Sequence, residues 1–176
     1  MQKTILTIVL ATFCLFFKAN AQNQSTKIKP LKIGDTIPEE VWNMPLQVIN
    51  HPENKKYITL GEYRNKKLII LDFWATWCSP CVASLDKLAP IYKQNSADLA
   101  LLPVAAHQGP SISQAEAMMK EKHWSIPSVL DGDQYLFTKV FPPPSGKGIP
   151  HMIWIKDNKV IAIPKTAYAT AENIKK

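Results

Sequence analysis

The stretch LIILDFWATWCSPC, residues 68–81, joins an apolar run to two cysteines that are separated by two residues. Leu68 to Ala75 is almost continuously apolar, which is typical of a strand buried on both faces of an α/β sheet. The residues that follow show an apolar stripe with helical period: Cys81, Leu85, Leu88 and Tyr92. The two cysteines are therefore predicted to lie where a central strand turns into a helix.

Cys78 and Cys81 admit three interpretations, namely a structural staple, part of a metal site, or a redox pair. A disulfide across two residues closes too short a loop to constrain an unfolded chain much. A zinc site needs about four ligands, yet the histidines at 51, 107, 123 and 151 form no closely spaced pair, and no second cysteine pair is present. We therefore expect redox chemistry, with no metal and no cofactor other than the cysteine pair.

The predicted position gives the two sulfurs different roles. Cys78 falls near the helix N-terminus, where the macrodipole and free N–H groups favour a thiolate, so it is the expected nucleophile. Cys81 lies almost one turn inside and is the expected resolving cysteine. Ser79 and Pro80 support the site, since Pro80 fits the first helical turn. Because no histidine stands between the cysteines, the motif favours a reducing potential.

Asp72 interrupts the apolar run six residues before Cys78. A carboxylate in a buried strand is costly unless it has a partner or a task. Burial would raise its pKa, and it could then accept the proton of Cys81, directly or through water. The alternative is an aspartate at a strand edge that faces solvent.

Two segments carry a resemblance to the thioredoxin superfamily. LDFWATWCSPC resembles its active-site segment, including the acidic residue and the Trp77 that precedes the first cysteine. GIPHMIWI, residues 148–155, resembles the strand entry that begins with a cis proline, and KDNKVIAI resembles the hairpin to the last strand. The resemblance implies that Pro150 lies opposite the cysteine pair, and that Trp77, Ile149, Pro150 and His151 contact the substrate.

Residues 33–78 resemble the exported TlpA group of this superfamily, which has an extra N-terminal β-hairpin. Residues 96–148 are long enough for the inserted element of that group. The implied fold is a thioredoxin-like three-layer α/β/α sandwich with a central mixed sheet. The implied activity is a thiol-disulfide oxidoreductase that reduces disulfides in exported proteins and is recharged by a membrane electron donor.

Three positions depart from the expected pattern. Pro103 lies inside a predicted interior strand, where its missing N–H predicts a bulge or an early strand break. His151 stands where the family usually has threonine; as an imidazolium near Cys78 it would make the disulfide more oxidising, and otherwise it is a loop side chain without a role. YATAENIKK begins a final helix, with Thr170 as its cap, that is short or truncated at residue 176.

The N-terminus predicts export. Residues 1–21 combine Lys3, a thirteen-residue largely apolar run and an Ala-Asn-Ala site, which is typical of a cleaved signal peptide that would also remove Cys14. Residues 22–32 then form a linker and residues 33–176 one domain. We expect a soluble monomer, in the bacterial periplasm.

The sequence fits other functions less well than it fits a reductase. Of the 21 basic residues only Arg64 is arginine, and the lysines are scattered, so no nucleic-acid surface is predicted. A thiol peroxidase would need Thr or Ser where Ala75 stands. An oxidase or isomerase of the same fold, and a non-catalytic module that binds partners through the cis-proline groove, remain alternatives.

Overall fold

The computed structural model describes residues 28–105, 112–133, 135–144, 148–165 and 170–175. The predicted signal peptide with Cys14, and most of the predicted linker 22–32, lie outside the described residues. None of the helices in these ranges is long and apolar enough to cross a bilayer.

Seven strands form one mixed sheet in the order β2-β1-β5-β4-β3-β6-β7. Their bounds are β1 Leu46–Ile49, β2 Tyr57–Ile58, β3 Leu68–Trp74, β4 Leu99–Ala105, β5 Ser128–Leu130, β6 His151–Lys156 and β7 Lys159–Ala162. β3 pairs in parallel with β4 and antiparallel with β6, and every residue of β3 is buried. The strand that the apolar run predicts is confirmed to within one residue.

Helices cover both faces of the sheet. They are α1 Glu39–Trp42, a 3-10 helix Leu60–Tyr63, α2 Ser79–Asn95, α3 Ile112–Glu121, a π-helix Leu136–Val140 and α4 Ala171–Lys175. Buried residues of α2 and α3 share a core cluster with one face of β3. Residues of α1, the 3-10 helix and the π-helix share a second cluster with the other face. The three-layer α/β/α arrangement is therefore confirmed.

Two antiparallel hairpins flank the central strands. β1 and β2 form the extra N-terminal hairpin, and β1 joins the sheet by pairing with β5. β6 and β7 are joined by Asp157 and Asn158, whose φ angles of 49° and 66° fit the left-handed two-residue turn that hairpins favour. Both hairpins were predicted from the resemblance.

Pro103 lies within β4, so the prediction of a bulge or an early break there is wrong. β4 runs without a register shift from Leu99 to Ala105 against β3. The Pro103 carbonyl accepts a hydrogen bond from Ser128 Oγ at 3.1 Å. The N–H and C=O of a strand residue point to the same side, so the position of the missing Pro103 N–H is also directed toward β5. The proline therefore removes no hydrogen bond between β4 and β3.

The segment between the two motifs contains α3, Ile112–Glu121. The predicted final helix is present as α4, Ala171–Lys175. Its cap is also confirmed, because the Asn173 amide donates to Thr170 Oγ1 at 3.3 Å.

The packing of β3 against α2 predicts an asymmetric response to truncation. Ile70 is 0% exposed beneath α2, whereas Ile33 is 61% exposed. Ile70→Ala should lower the free energy of unfolding by about 2–5 kcal/mol, because it removes buried methyl groups and leaves a cavity. Urea unfolding of the oxidised protein measures this, with Ile33→Ala as the matched control. Equal losses in the two variants would contradict the described core.

Candidate active site

The cysteine pair lies at the junction of β3 and α2. Cys78 is the residue immediately before α2, and its amide donates to the Ala75 carbonyl at 3.0 Å, which tightens the turn after β3. The Cys78 carbonyl accepts the amides of Cys81 and Val82 at 2.9 and 3.0 Å, so the first helical turn closes around the motif. Cys78 and Cys81 are joined by a disulfide, with their Cα atoms 5.3 Å apart.

The two sulfurs differ in their access to solvent. Cys81 is 0% exposed, whereas Cys78 is 5% exposed. Its neighbours Trp77, Ser79 and Pro80 are all exposed, and Trp77 presents 58% of its surface. An incoming thiolate therefore meets Cys78 first, and Trp77 forms the adjoining surface.

Asp72 lies beneath α2 rather than at a solvent-facing edge. It is 0% exposed, and its Oδ2 accepts a hydrogen bond from Ser84 Oγ at 3.1 Å. Ser84 stands three residues after Cys81, so the residue that binds the carboxyl lies one helical turn from Cys81. The other oxygen, Oδ1, is buried without a hydrogen-bond partner among the described residues.

Burial determines the acidity of this carboxyl. Desolvation raises the pKa of Asp72 to about 7, and the Ser84 hydrogen bond works in the opposite direction by favouring the charged form. A group with a pKa of about 7 is half ionised at neutral pH. It can therefore both accept and return a proton under physiological conditions.

Ile149 and Pro150 lie at the same edge of the sheet as the cysteines. Their peptide bond is cis, and β6 begins directly afterwards. Because β6 is antiparallel to β3, its first residue lies opposite Phe73, near the end of β3 that leads to Cys78. Ile149 is half-buried and packs against both core clusters.

The structure does not bring His151 to the cysteine side of the sheet. His151 pairs with Phe73, so both side chains project from the face opposite Asp72, and their rings stack at 5.2 Å. The Phe141 carbonyl accepts a hydrogen bond from His151 Nε2 at 3.0 Å. Burial lowers the pKa of His151, which opposes the imidazolium form that the oxidising hypothesis requires.

Ser84 is the site residue that the sequence analysis missed. The signal was available, because Ser84 is the one hydroxyl among the buried residues of α2, which are otherwise Cys81, Leu85 and Leu88. No group of three or more His, Cys, Asp or Glu side chains suited to a metal occurs within the described ranges.

Solved structures share this fold. A DsbF homologue from Corynebacterium diphtheriae aligns with a TM-score of 0.62 at 16% identity, covering 88% of this chain and 92% of that one. PrxQ from Xylella fastidiosa aligns with a TM-score of 0.60 at 18% identity, covering 82% and 92%. These likenesses establish the thioredoxin-like α/β fold.

Sequence comparison identifies the family of this chain. The thiol-disulfide oxidoreductase ResA of Geobacillus kaustophilus is 27% identical over 134 residues, which are 74% of this chain and 68% of that protein. The family model described as Redoxin matches residues 32–173, which include the cysteine pair, Asp72 and the cis proline. The chain therefore belongs to the Redoxin family.

Proposed function

We propose that this protein is an exported, TlpA-like thiol-disulfide oxidoreductase that reduces disulfides in other exported proteins. The observation that carries the proposal is the Cys78–Cys81 disulfide at the start of α2, with its inner sulfur fully buried and a buried carboxyl one turn away. The similarity to ResA proteins supports the same chemistry.

The reaction transfers two electrons from the reduced pair to a partner disulfide. The Cys78 thiolate attacks one sulfur of that disulfide, forms a mixed disulfide and releases the first partner thiolate. Cys81 then gives its proton to Asp72, and its thiolate attacks Cys78 Sγ. The mixed disulfide breaks, the second partner thiolate leaves, and the Cys78–Cys81 disulfide forms. Both partner thiolates take protons from solvent, and an external dithiol restores the pair.

The partner is held beside the sulfurs by one exposed and two half-buried side chains. Trp77 offers an apolar face, and Ile149 and Pro150 border the same edge of the sheet. Backbone hydrogen bonds between Ile149 and an extended partner segment would provide affinity with little demand on its sequence. Disulfide-bearing proteins of varied sequence are therefore the proposed substrates.

The environment of the pair favours the reducing direction. Ser79 and Pro80 separate the cysteines without a histidine, and His151 lies on the opposite face with its pKa lowered. The thiolate is then stabilised mainly by the helix N-terminus, a modest effect that does not make the disulfide a strong oxidant.

The signal-like residues 1–21 support the proposed export, and the periplasm is the proposed location. Since such a compartment is oxidising, a reductase there would depend on a membrane electron donor. The remaining alternatives are an oxidase or isomerase with the same site, and a module that binds partners without turnover.

Replacement of Cys78 and replacement of Cys81 should impair different steps of the reaction. Cys78→Ser should abolish the reduction of insulin by dithiothreitol beyond the uncatalysed rate, because no nucleophile faces the partner. Cys81→Ser that has been reduced and freed of dithiothreitol should still attack the partner disulfide, but it should accumulate a mixed disulfide that non-reducing electrophoresis detects, because no thiol resolves it. A non-catalytic module predicts the opposite pattern, with no turnover by the wild type and unchanged partner capture by Cys78→Ser.

The resolving step should depend on the ionisation of Asp72. Because the carboxyl accepts a proton only when ionised, the decay of the mixed disulfide should rise about thirtyfold from pH 5.5 to 8.5, with a midpoint near 7. Asp72→Asn should lose this midpoint and slow the step. Quenched single-turnover kinetics measure it, and Asp86→Asn, which changes an exposed carboxyl of α2, is the control. An unchanged profile in Asp72→Asn would exclude Asp72 as the base.

The reduction potential of the pair tests the direction. We expect a value below about −230 mV, because nothing described here stabilises the thiolate beyond the helix N-terminus. Fluorescence of Trp74 and Trp77 in glutathione and dithiothreitol buffers measures it, and Trp77→Phe separates their signals. A value above about −180 mV would replace the reductase with an oxidant or isomerase.

A further inference from the structure

Ser84 is a buried hydroxyl on the face of α2 that covers β3. It is 5% exposed and lies between the apolar Leu85 and Leu88 on one side and Cys81 on the other. A hydroxyl buried among such neighbours is unfavourable unless it makes a hydrogen bond. Ser84 Oγ donates to Asp72 Oδ2 at 3.1 Å, so the hydroxyl is directed at the carboxyl.

Among the residues that the structure describes, no charged group shifts the pKa of Asp72. Pro103 of β4 and Met152 of β6 lie directly across from it in the sheet. On α2, Ser84 contacts it and Cys81 lies one turn before. Desolvation and the Ser84 hydrogen bond are the two causes that move its pKa. Within the described ranges, Ser84 is thus the hydrogen-bond donor through which the protein acts on this carboxyl.

The two carboxyl oxygens of Asp72 differ in their hydrogen bonding. Oδ2 accepts the Ser84 hydrogen bond, whereas Oδ1 is buried and has no partner among the residues that the structure covers. A buried acceptor without a partner is unfavourable and calls for a functional reason. A site that must receive a proton during the reaction supplies that reason.

We propose that Ser84 is a positioning residue for the resolving step, in which it holds Asp72 by Oδ2 and leaves Oδ1 to receive the Cys81 proton. This inference rests on the proposed function. In the step, the Cys81 S–H bond breaks and its proton moves to Oδ1. The sulfur electron pair forms the bond to Cys78 Sγ, and the mixed-disulfide bond breaks with its pair on the partner sulfur. The Ser84 proton stays on Oγ throughout.

The effect of this hydrogen bond on the pKa of Asp72 can be measured. The bond favours the ionised carboxyl, so its removal should raise the pKa of Asp72 and move the midpoint of the resolving step upward by about one pH unit. Ser84→Ala should then resolve the mixed disulfide about eightfold more slowly at pH 6.5, with a ratio near one at pH 9.5. Ser84→Thr keeps the hydroxyl and should restore the wild-type midpoint.

The experiment combines two measurements on the full chain with both cysteines present. Carbon-13 NMR of the carboxyl groups gives the titration midpoint of Asp72, and quenched single-turnover kinetics give the pH profile of the resolving step. Ser128→Ala is the matched control, because Ser128 is a second buried serine, bonded to Trp74 and Pro103 rather than to Asp72. It should leave both midpoints unchanged.

Coupling to Asp72 is tested with the double variant. Adding Ser84→Ala to Asp72→Asn should change the pH profile no further, because the residue acts through the carboxyl. An unmoved midpoint in Ser84→Ala, or a rate lowered by the same factor at every pH, would overturn the positioning role while the wild type remains active. Absence of turnover in the wild type would instead overturn the proposed function, and the inference with it.

Discussion

A carboxyl buried at the centre of the sheet is the constraint around which this structure is organised. Burial raises the pKa of Asp72 from 3.8 to about 7. Below about pH 4 the group is protonated in both the folded and the unfolded chain. Between about pH 4 and 7 only the unfolded chain releases its proton, so the folded state loses stability, by about 4 kcal/mol once the pH exceeds 7. The burial of this one carboxyl therefore lowers the free energy of unfolding by a substantial part of the total for a typical domain.

Side chains alternate between the two faces of β3, and this alternation determines which residues contact the Asp72 carboxyl. Asp72 projects toward α2, where Ser84 binds it and Cys81 lies one turn away, whereas Phe73 projects to the other face and stacks with His151. A shift of one residue in the pairing would exchange these surroundings. The fully buried β3 and its unbroken pairing with β4, through Pro103, hold that register.

Local patterns in the sequence were sufficient to predict β3, α2 and the burial of Asp72, because each depends on the periodicity of apolar residues within a short segment, whereas the β6–β7 hairpin was predicted from the family resemblance. Three features depend on neighbours remote in sequence. Pro103 is accommodated through Ser128, which lies 25 residues away. The face of His151 depends on its pairing with β3, and the contact of Ser84 with Asp72 depends on how α2 packs over the sheet. The helical stripe of α2 indicates that Ser84 is buried, but no local pattern indicates which residue it contacts.

The instability at Asp72 and its proposed chemistry have the same physical origin. An ordinary thiol has a pKa of about 8.5, so transfer of its proton to a carboxylate of pKa 3.8 would be uphill by about 6 kcal/mol. Transfer to a carboxylate of pKa about 7 is uphill by about 2 kcal/mol. Desolvation thus turns a carboxylate that is too weak a base into one matched to a buried thiol. The Ser84 hydrogen bond limits this effect, since it keeps enough of the carboxyl ionised at neutral pH for a proton to be accepted.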